Sequence, residues 1–500
     1  MLKISPLFSD GAVLCRRKVL RIFGQADSGT EVSCALQNEK GSLLASGSTV
    51  SQNGKFLILL PPQEAATGCR LILSAGSEAF TASDIAIGEL FLAGGQSNME
   101  LELQNADEGP ERITAHHNPC IRYFNVPKFA VFSEERDHAW KKQHWQMLFP
   151  GKAGDISAVA YFFALKLQQK LGIPIGIIDS YLGGTSITCW MNEAWLNRTA
   201  EGRRYLTEYA ERTADITLEV FLDRDQKWHQ EMEDWNHQAE IHKADHPNCT
   251  AQELSSVIGP FPWHPPEGPA SPYRPAGLYD TMIEPLLPLA LTGILFYQGE
   301  ADAGLTNQYD VLMMSLIDRW RTAFEDETLP FLFVQLPMWI DRNAADSKTW
   351  PVLRLAQSKT RDRMRNTGMI CLLDQGEYDN IHPTNKRVVG ERLFDLAEIL
   401  IYRQPGKASP RILEKQIDGS SLILRADQTL FLREKDAPLL LEIAGTDRHF
   451  VPAQGRIEGM LLILSAPEII HPLYARYAWT DFGQVRLFNA DSLPLEPFDC

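Results

Sequence analysis

The run "IGELFLAGG" (87–95) is apolar almost throughout, ends on two glycines, and is followed at once by the polar Gln96-Ser97-Asn98. A short run of this kind reads as a strand buried on both faces, which places it inside a sheet rather than on a surface. "ISAVAYFFALKLQQKLG" (156–172) then carries apolar residues at helical spacing and stops at a glycine, and "IPIGIIDSYLGG" reads as strand into loop. Strand, helix and strand in this sequence call for a parallel α/β sheet, because parallel neighbours need a crossover. The pattern resumes after about residue 268 with "TGILFY", "YDVLMMSLIDRWRTAF", "LPFLFVQLP", "LRLAQSKTRDRM", "GMICLLD" and "NKRVVGERLFDLAEILIY" (385–402).

On either side of this core the texture differs. Residues 1–85 hold short β-rich runs such as "KVLRIFGQA" and "CRLILSA" separated by turn residues, as expected of a small antiparallel sandwich. Residues 406–500 return to such runs and are expected to form a second β domain. The central stretch, 86–405, is interrupted at 200–268 by a charged, aromatic-dotted insertion read as one or two exposed helices, with few breakers before Pro247, and then by the Pro-rich "IGPFPWHPPEGPASPYRPAG". The insertion suits a wall or lid over a site, or a contact between copies in a homo-oligomer.

Five hundred residues exceed one ordinary core, and 44% hydrophobic with 22% charged residues is globular composition. A net charge of −16 argues against nucleic-acid phosphates or an anionic membrane as partner, since both need a basic face. Cys15, Cys34, Cys69, Cys120, Cys189, Cys249, Cys371 and Cys500 make no C-x-x-C pair and read as reduced, mostly core residues. The start, "MLKISP", lacks an apolar signal segment, so a cytoplasmic location is expected unless a signal was removed.

Ser97 stands just past a strand end, the edge at which ligands collect on open α/β sheets. Gly94 and Gly95 allow a tight turn there, and a serine so displayed is a candidate nucleophile. The G-x-S-x-G elbow of α/β-hydrolases is missing around it. His382, in the loop "DNIHPTNK" after another strand, is the candidate base, and Asp379 three residues earlier is a candidate to orient the imidazole. "SYLGGTSITCW" and "FYQGEAD" also close strands, so that a backbone N–H of Gly183 or Gly184 and the amide of Gln298 are candidate oxyanion donors. Trp190, Trp263 and Trp339 are aromatics suited to stack on a sugar ring. His242 and His246 share helical spacing but read as solvated, and no metal or organic cofactor is called for.

Taken in order, "GGQSNME", "GGTSITCW", "LYDTMIEPLLP", "YQGEAD" and "DNIHPTNK" resemble the sialate O-acetylesterase family, a branch of the SGNH hydrolases. "LFSDGAVLCRRK" and "ARYAWTDFGQVRLFNADSLPLEPF" are similar to its flanking β segments. The resemblance implies a flavodoxin-like three-layer α/β/α domain flanked by small β-sandwich-like domains, and hydrolysis of O-acetyl groups on sugars, sialic acid foremost. It implies Ser97 as nucleophile, His382 as base, and the Ser97 N–H, Gly184 N–H and Gln298 amide as oxyanion donors. Where many members place an acid two residues before the histidine, this chain has Asn380. Asp379 is the expected orienter of His382, with Glu300 or a backbone carbonyl as the alternatives. An anionic sugar would favour an arginine, and Arg274 is the candidate, with Glu300 and Trp190 as further substrate contacts. Acetylated xylan, xyloglucan or mannan fragments are the alternative substrates.

Overall fold

A computed structural model describes residues 1–115, 117–246, 249, 251–433 and 438–500, and Pro247 lies outside them. The chain divides into two compact units, one of residues 1–128, 134–187 and 286–500, the other of 129–133 and 188–285.

The first unit is organised around strand β1, Glu78–Gly95, which is 18 residues long. Its first half pairs antiparallel with Ala66–Ala75, and Ala86–Gly88 pairs parallel with Val13–Cys15. From Glu89 onward it lies in a parallel sheet, with every residue from Ile85 to Gly95 buried. The expected boundary near residue 85 therefore falls inside one continuous strand. The other strands are β2 (Asn118–Asn125), β3 (Gln146–Leu148), β4 (Ile175–Tyr181), β5 (Gly293–Tyr297), β6 (Phe331–Val334) and β7 (Thr367–Ile370). Their spatial order is β3-β2-β4-β1-β5-β6-β7, all parallel except the β3 edge. Numbered by chain order among themselves, β1, β4, β5, β6 and β7 run 2-1-3-4-5, with β2 and β3 added outside β4.

The helices match the periodic segments closely. Ala158–Leu171 is capped by the Ser157 side chain on the Ala160 N–H and ends at Gly172 with φ +67°. Lys386–Leu400 packs against it through Gly390, where an added Cβ would stand 2.7 Å from Val159 O, the Phe163 N and the Phe162 Cβ. Tyr309–Ala323 and Thr349–Arg363 pack as a second pair. The N-terminal segment adds the three-stranded sheet of Lys3–Ile4, Leu20–Gln25 and Lys55–Leu60. At the other end, Leu422, Leu424, Leu462, Tyr477 and Leu495 share one apolar cluster with Met338, Cys371 and Leu373, so the C-terminal strands and the α/β sheet bury a common core. All eight cysteines are free.

The second unit contains the insertion. Helices Ala200–Arg212 and Leu218–Asp245 are largely exposed, as their charge implies, and Ala251–Ile258 is a third. Trp228 and Trp235 on the long helix donate their indole N–H groups to Pro262 O at 2.8 Å and Gly259 O at 3.0 Å. The Pro-rich segment is thereby fastened along the helix. Among the described residues no helix is long and apolar enough to cross a membrane.

Gly390→Ala is expected to lower the urea midpoint, with a loss of about 1–3 kcal/mol from overpacking, although alanine is the better helix former.

Candidate active site

The loops of the site leave the carboxyl ends of β4, β1 and β5, which are adjacent, and of β7, two strands beyond β5. This is the edge where an open α/β sheet leaves a crevice. The turn after β1 is set by Gly95, at φ +130°, whose backbone runs so close to β5 that a Cβ would lie 2.1 Å from Tyr297 O. No other residue fits there. Gln96 N–H donates to Tyr297 O at 3.0 Å, and a single helical turn, Ser97–Glu100, follows.

Ser97 Oγ and His382 Nε2 are 2.8 Å apart, although 285 residues separate them in the chain. That is hydrogen-bond reach for a nucleophile and its base. The histidine loop is shaped by Asn380, whose Oδ1 accepts the His382 N–H at 3.1 Å while its Nδ2 donates to Glu377 at 2.7 Å. His382 keeps an open face to solvent. The protein atoms packed about the rest of the ring, and secondarily the nearby Lys386 ammonium, hold its pKa below the ordinary imidazole value. A neutral imidazole, able to accept a proton, is favoured.

The Asp379 carboxylate is not hydrogen-bonded to this ring. Its carboxylate accepts the Arg342 backbone N–H at 2.9 Å and Nε at 2.6 Å, an ion pair on the neighbouring 340s loop. Asp379 has φ +61° and its own N–H donates to Ile340 O, so the backbone carries the side chain toward that loop.

Gln298 is also placed differently from expectation. It is buried, and its Nε2 has three acceptors around it: Asp302 Oδ2 at 2.6 Å, Gln96 Oε1 at 3.1 Å and Thr185 O at 3.1 Å. Its Oε1 accepts the Tyr309 hydroxyl at 2.6 Å. An amide with two protons among three internal acceptors has partners for both within the protein. Asp302, fully buried, also accepts Ser186 Oγ at 2.7 Å and the Ile187 N–H at 2.8 Å, which binds the loop after β4 to the loop after β5.

In that first loop, the Gly183 N–H donates to the Glu100 carboxylate, which also holds the Lys128 ammonium. Gly184 follows at φ +72°. Glu300, expected among the substrate contacts, is instead buried, with Oε1 accepting Asn98 Nδ2 at 2.6 Å. Burial raises its carboxyl pKa, against the opposing pull of Asn98 and Lys386.

Trp190 and Arg274 belong to the second unit. Trp190 is fully buried, and the Arg274 guanidinium donates to Ser271 O at 2.8 Å and Ala130 O at 3.0 Å. Trp263 is in the same unit, 46% exposed and edge-on to Tyr273. Trp339, in the first unit, stacks at a tilt on Trp350. Sequence reasoning missed Gln96, Asn98, Asp302 and Lys386; the first two stand on either side of Ser97, but no spacing announces their partners.

Residues 268–397 match the carbohydrate esterase family of sialic acid-specific acetylesterases. Similarity to sialate O-acetylesterases extends well beyond that segment. The mouse (Mus musculus) protein is 26% identical over 95% of this chain and 90% of its own length. The rat (Rattus norvegicus) protein is 28% identical over 83% and 78%. A solved carbohydrate acetylesterase from Xanthomonas citri superposes with a TM-score of 0.77 at 27% identity, covering 100% of this chain and 99% of that one. The chain is an enzyme of the carbohydrate acetylesterase kind. The mixed α/β architecture with one large sheet is shared with that structural neighbour.

Replacing Gln298 by Leu removes one hydrogen bond from the buried Asp302 carboxylate and one from the Tyr309 hydroxyl. A loss of about 2–4 kcal/mol in unfolding free energy is expected by urea denaturation.

Proposed function

We propose that this acetylesterase works through an acetyl-enzyme on Ser97, with His382 as general base and then general acid. The observation that carries this is the 2.8 Å contact between Ser97 Oγ and His382 Nε2. Ser97 attacks the acetyl carbonyl as its proton passes to the imidazole. The tetrahedral oxyanion takes the backbone N–H groups of Ser97 and Gly184, and each such donor contributes roughly 3 kcal/mol. His382 protonates the departing sugar hydroxyl and then activates water, which releases acetate. The helix pairs fit a three-layer α/β/α arrangement of SGNH type, with the 2-1-3-4-5 strands as the middle layer.

O-acetylated sialic acid is the proposed substrate, from the names of the curated relatives and of the matching family. A second reading, another acetylated sugar such as a plant oligosaccharide, is favoured by one observation. Arg274, the arginine singled out for an anionic sugar, has its guanidinium on two backbone carbonyls of its own unit.

Ser97→Ala is expected to cut acetate release by roughly 10⁴-fold or more with the fold intact. Asp379→Asn should leave kcat within about threefold, as its partner is a partly exposed arginine. Both are read with p-nitrophenyl acetate, and acetate release across acetylated sialosides and plant oligosaccharides separates the two substrates. Undiminished turnover by Ser97→Ala removes the proposal.

A further inference from the structure

The carboxamide next to the nucleophile joins the catalytic loops. Asn98 Nδ2 donates to Ile381 O at 2.9 Å, the carbonyl just before His382, and to Glu300 Oε1 at 2.6 Å. Asn98 Oδ1 accepts Lys386 Nζ at 2.5 Å. Lys386 is the first residue of Lys386–Leu400, four residues beyond His382. One side chain thus grips the segment 381–386 at both ends while its own backbone continues directly from Ser97. Asn98 and Lys386 are 0% and 1% exposed, so neither hydrogen bond is traded for water.

A lysine in such a place needs compensation. Its ammonium faces Asn98 Oδ1, the carboxyls of Glu300 and Glu377, and the Tyr297 ring at 5.6 Å, with His382 on its own segment. Burial brings its pKa down to about 7, against the pull of the two carboxyls. Its charge acts on the imidazole in the sense that disfavours a second positive charge. The pair therefore has two separable effects, one of geometry and one of charge.

We propose that Asn98 and Lys386 form a buried positioning device for this reaction: the amide locks His382 in register with Ser97, and the ammonium supplies a like charge beside the imidazole. The device rests on the Ser97–His382 mechanism above. It accounts for a lysine in a buried place that no substrate-facing role explains. It also gives His382 a fixed position while the Asp379 carboxylate serves Arg342.

Two substitutions separate the effects. Lys386→Met removes both the hydrogen bond and the charge; Lys386→Gln removes the charge and leaves an amide N–H donor on a side chain one bond shorter. Lys386→Met is expected to lower kcat by about 10–100-fold with KM within about twofold, the cost of a slightly misplaced base. Lys386→Gln should retain several-fold more of kcat. In both, the acid limb of kcat/KM moves to higher pH, toward the ordinary imidazole value of 6.5, because loss of a like charge makes the ring easier to protonate. Thermal unfolding reports whether each variant is folded. Wild-type kcat in folded Lys386→Met, or an acid limb that stays in place in both variants, overturns the inference. If Lys386→Met does not fold, the acid limb of Lys386→Gln decides alone. Ser97→Ala run alongside distinguishes the two levels: an enzyme silenced by Ser97→Ala but indifferent to both lysine variants loses only the positioning device, whereas indifference to Ser97→Ala removes the mechanism beneath it.

Discussion

A carboxamide buried away from water must find partners for both its ends, and the neighbourhood of Ser97 is built on that requirement. Gln96, Asn98 and Gln298 face inward from two loops, and each bonds to a segment far away in the chain. Gln96 Oε1 takes the Gly299 and Ala301 N–H groups at 3.3 Å as well as the Gln298 amide, so the turn after β1 and the loop after β5 share one acceptor. Asp302 extends the same network to the loop after β4. Three loops are held to one another by directional bonds, and the serine is displayed on the result.

Such a network has a price in tolerance. In a low-dielectric interior an unpaired carboxylate or amide is costly, so substitutions here are felt by several partners at once. Gly95 adds a steric limit of the same kind, since its contact with Tyr297 O leaves no room for a Cβ. Polar satisfaction and close backbone approach therefore restrict the same short stretch, from Gly95 to Asn98.

Much of the architecture could be read directly. Ala158–Leu171 and Lys386–Leu400 lie within two residues of the periodic segments, because burial on one stripe writes helical spacing into the chain. The apolar runs of β1, β4, β5, β6 and β7 appeared as strands because burial on both faces leaves a continuous apolar run, and their order placed Ser97 and His382 at a common edge. What the sequence could not carry was pairing. "D-x-x-H" suggests a carboxylate leaning on an imidazole, yet a positive φ at Asp379 turns the acid toward Arg342. Gln298 looks like a free amide until Asp302 and Gln96 are found beside it. Lys386 reads as an ordinary first-turn residue of a helix and proves to be one of the most enclosed cations in the chain. Hydrogen-bond partners hundreds of residues apart leave no periodic trace.

Strand β1 has a wider consequence. Because one extended segment serves as an edge-to-edge neighbour of Ala66–Ala75 in its first half and as the central member of the parallel array in its second, the N-terminal β region is not an appendage that can be cut away at a linker. Excision before residue 86 would sever a ladder rather than a hinge. Gene fusions, domain exchange and directed shuffling in chains of this build are thus best made elsewhere than along the strand that ends one residue before Gln96-Ser97.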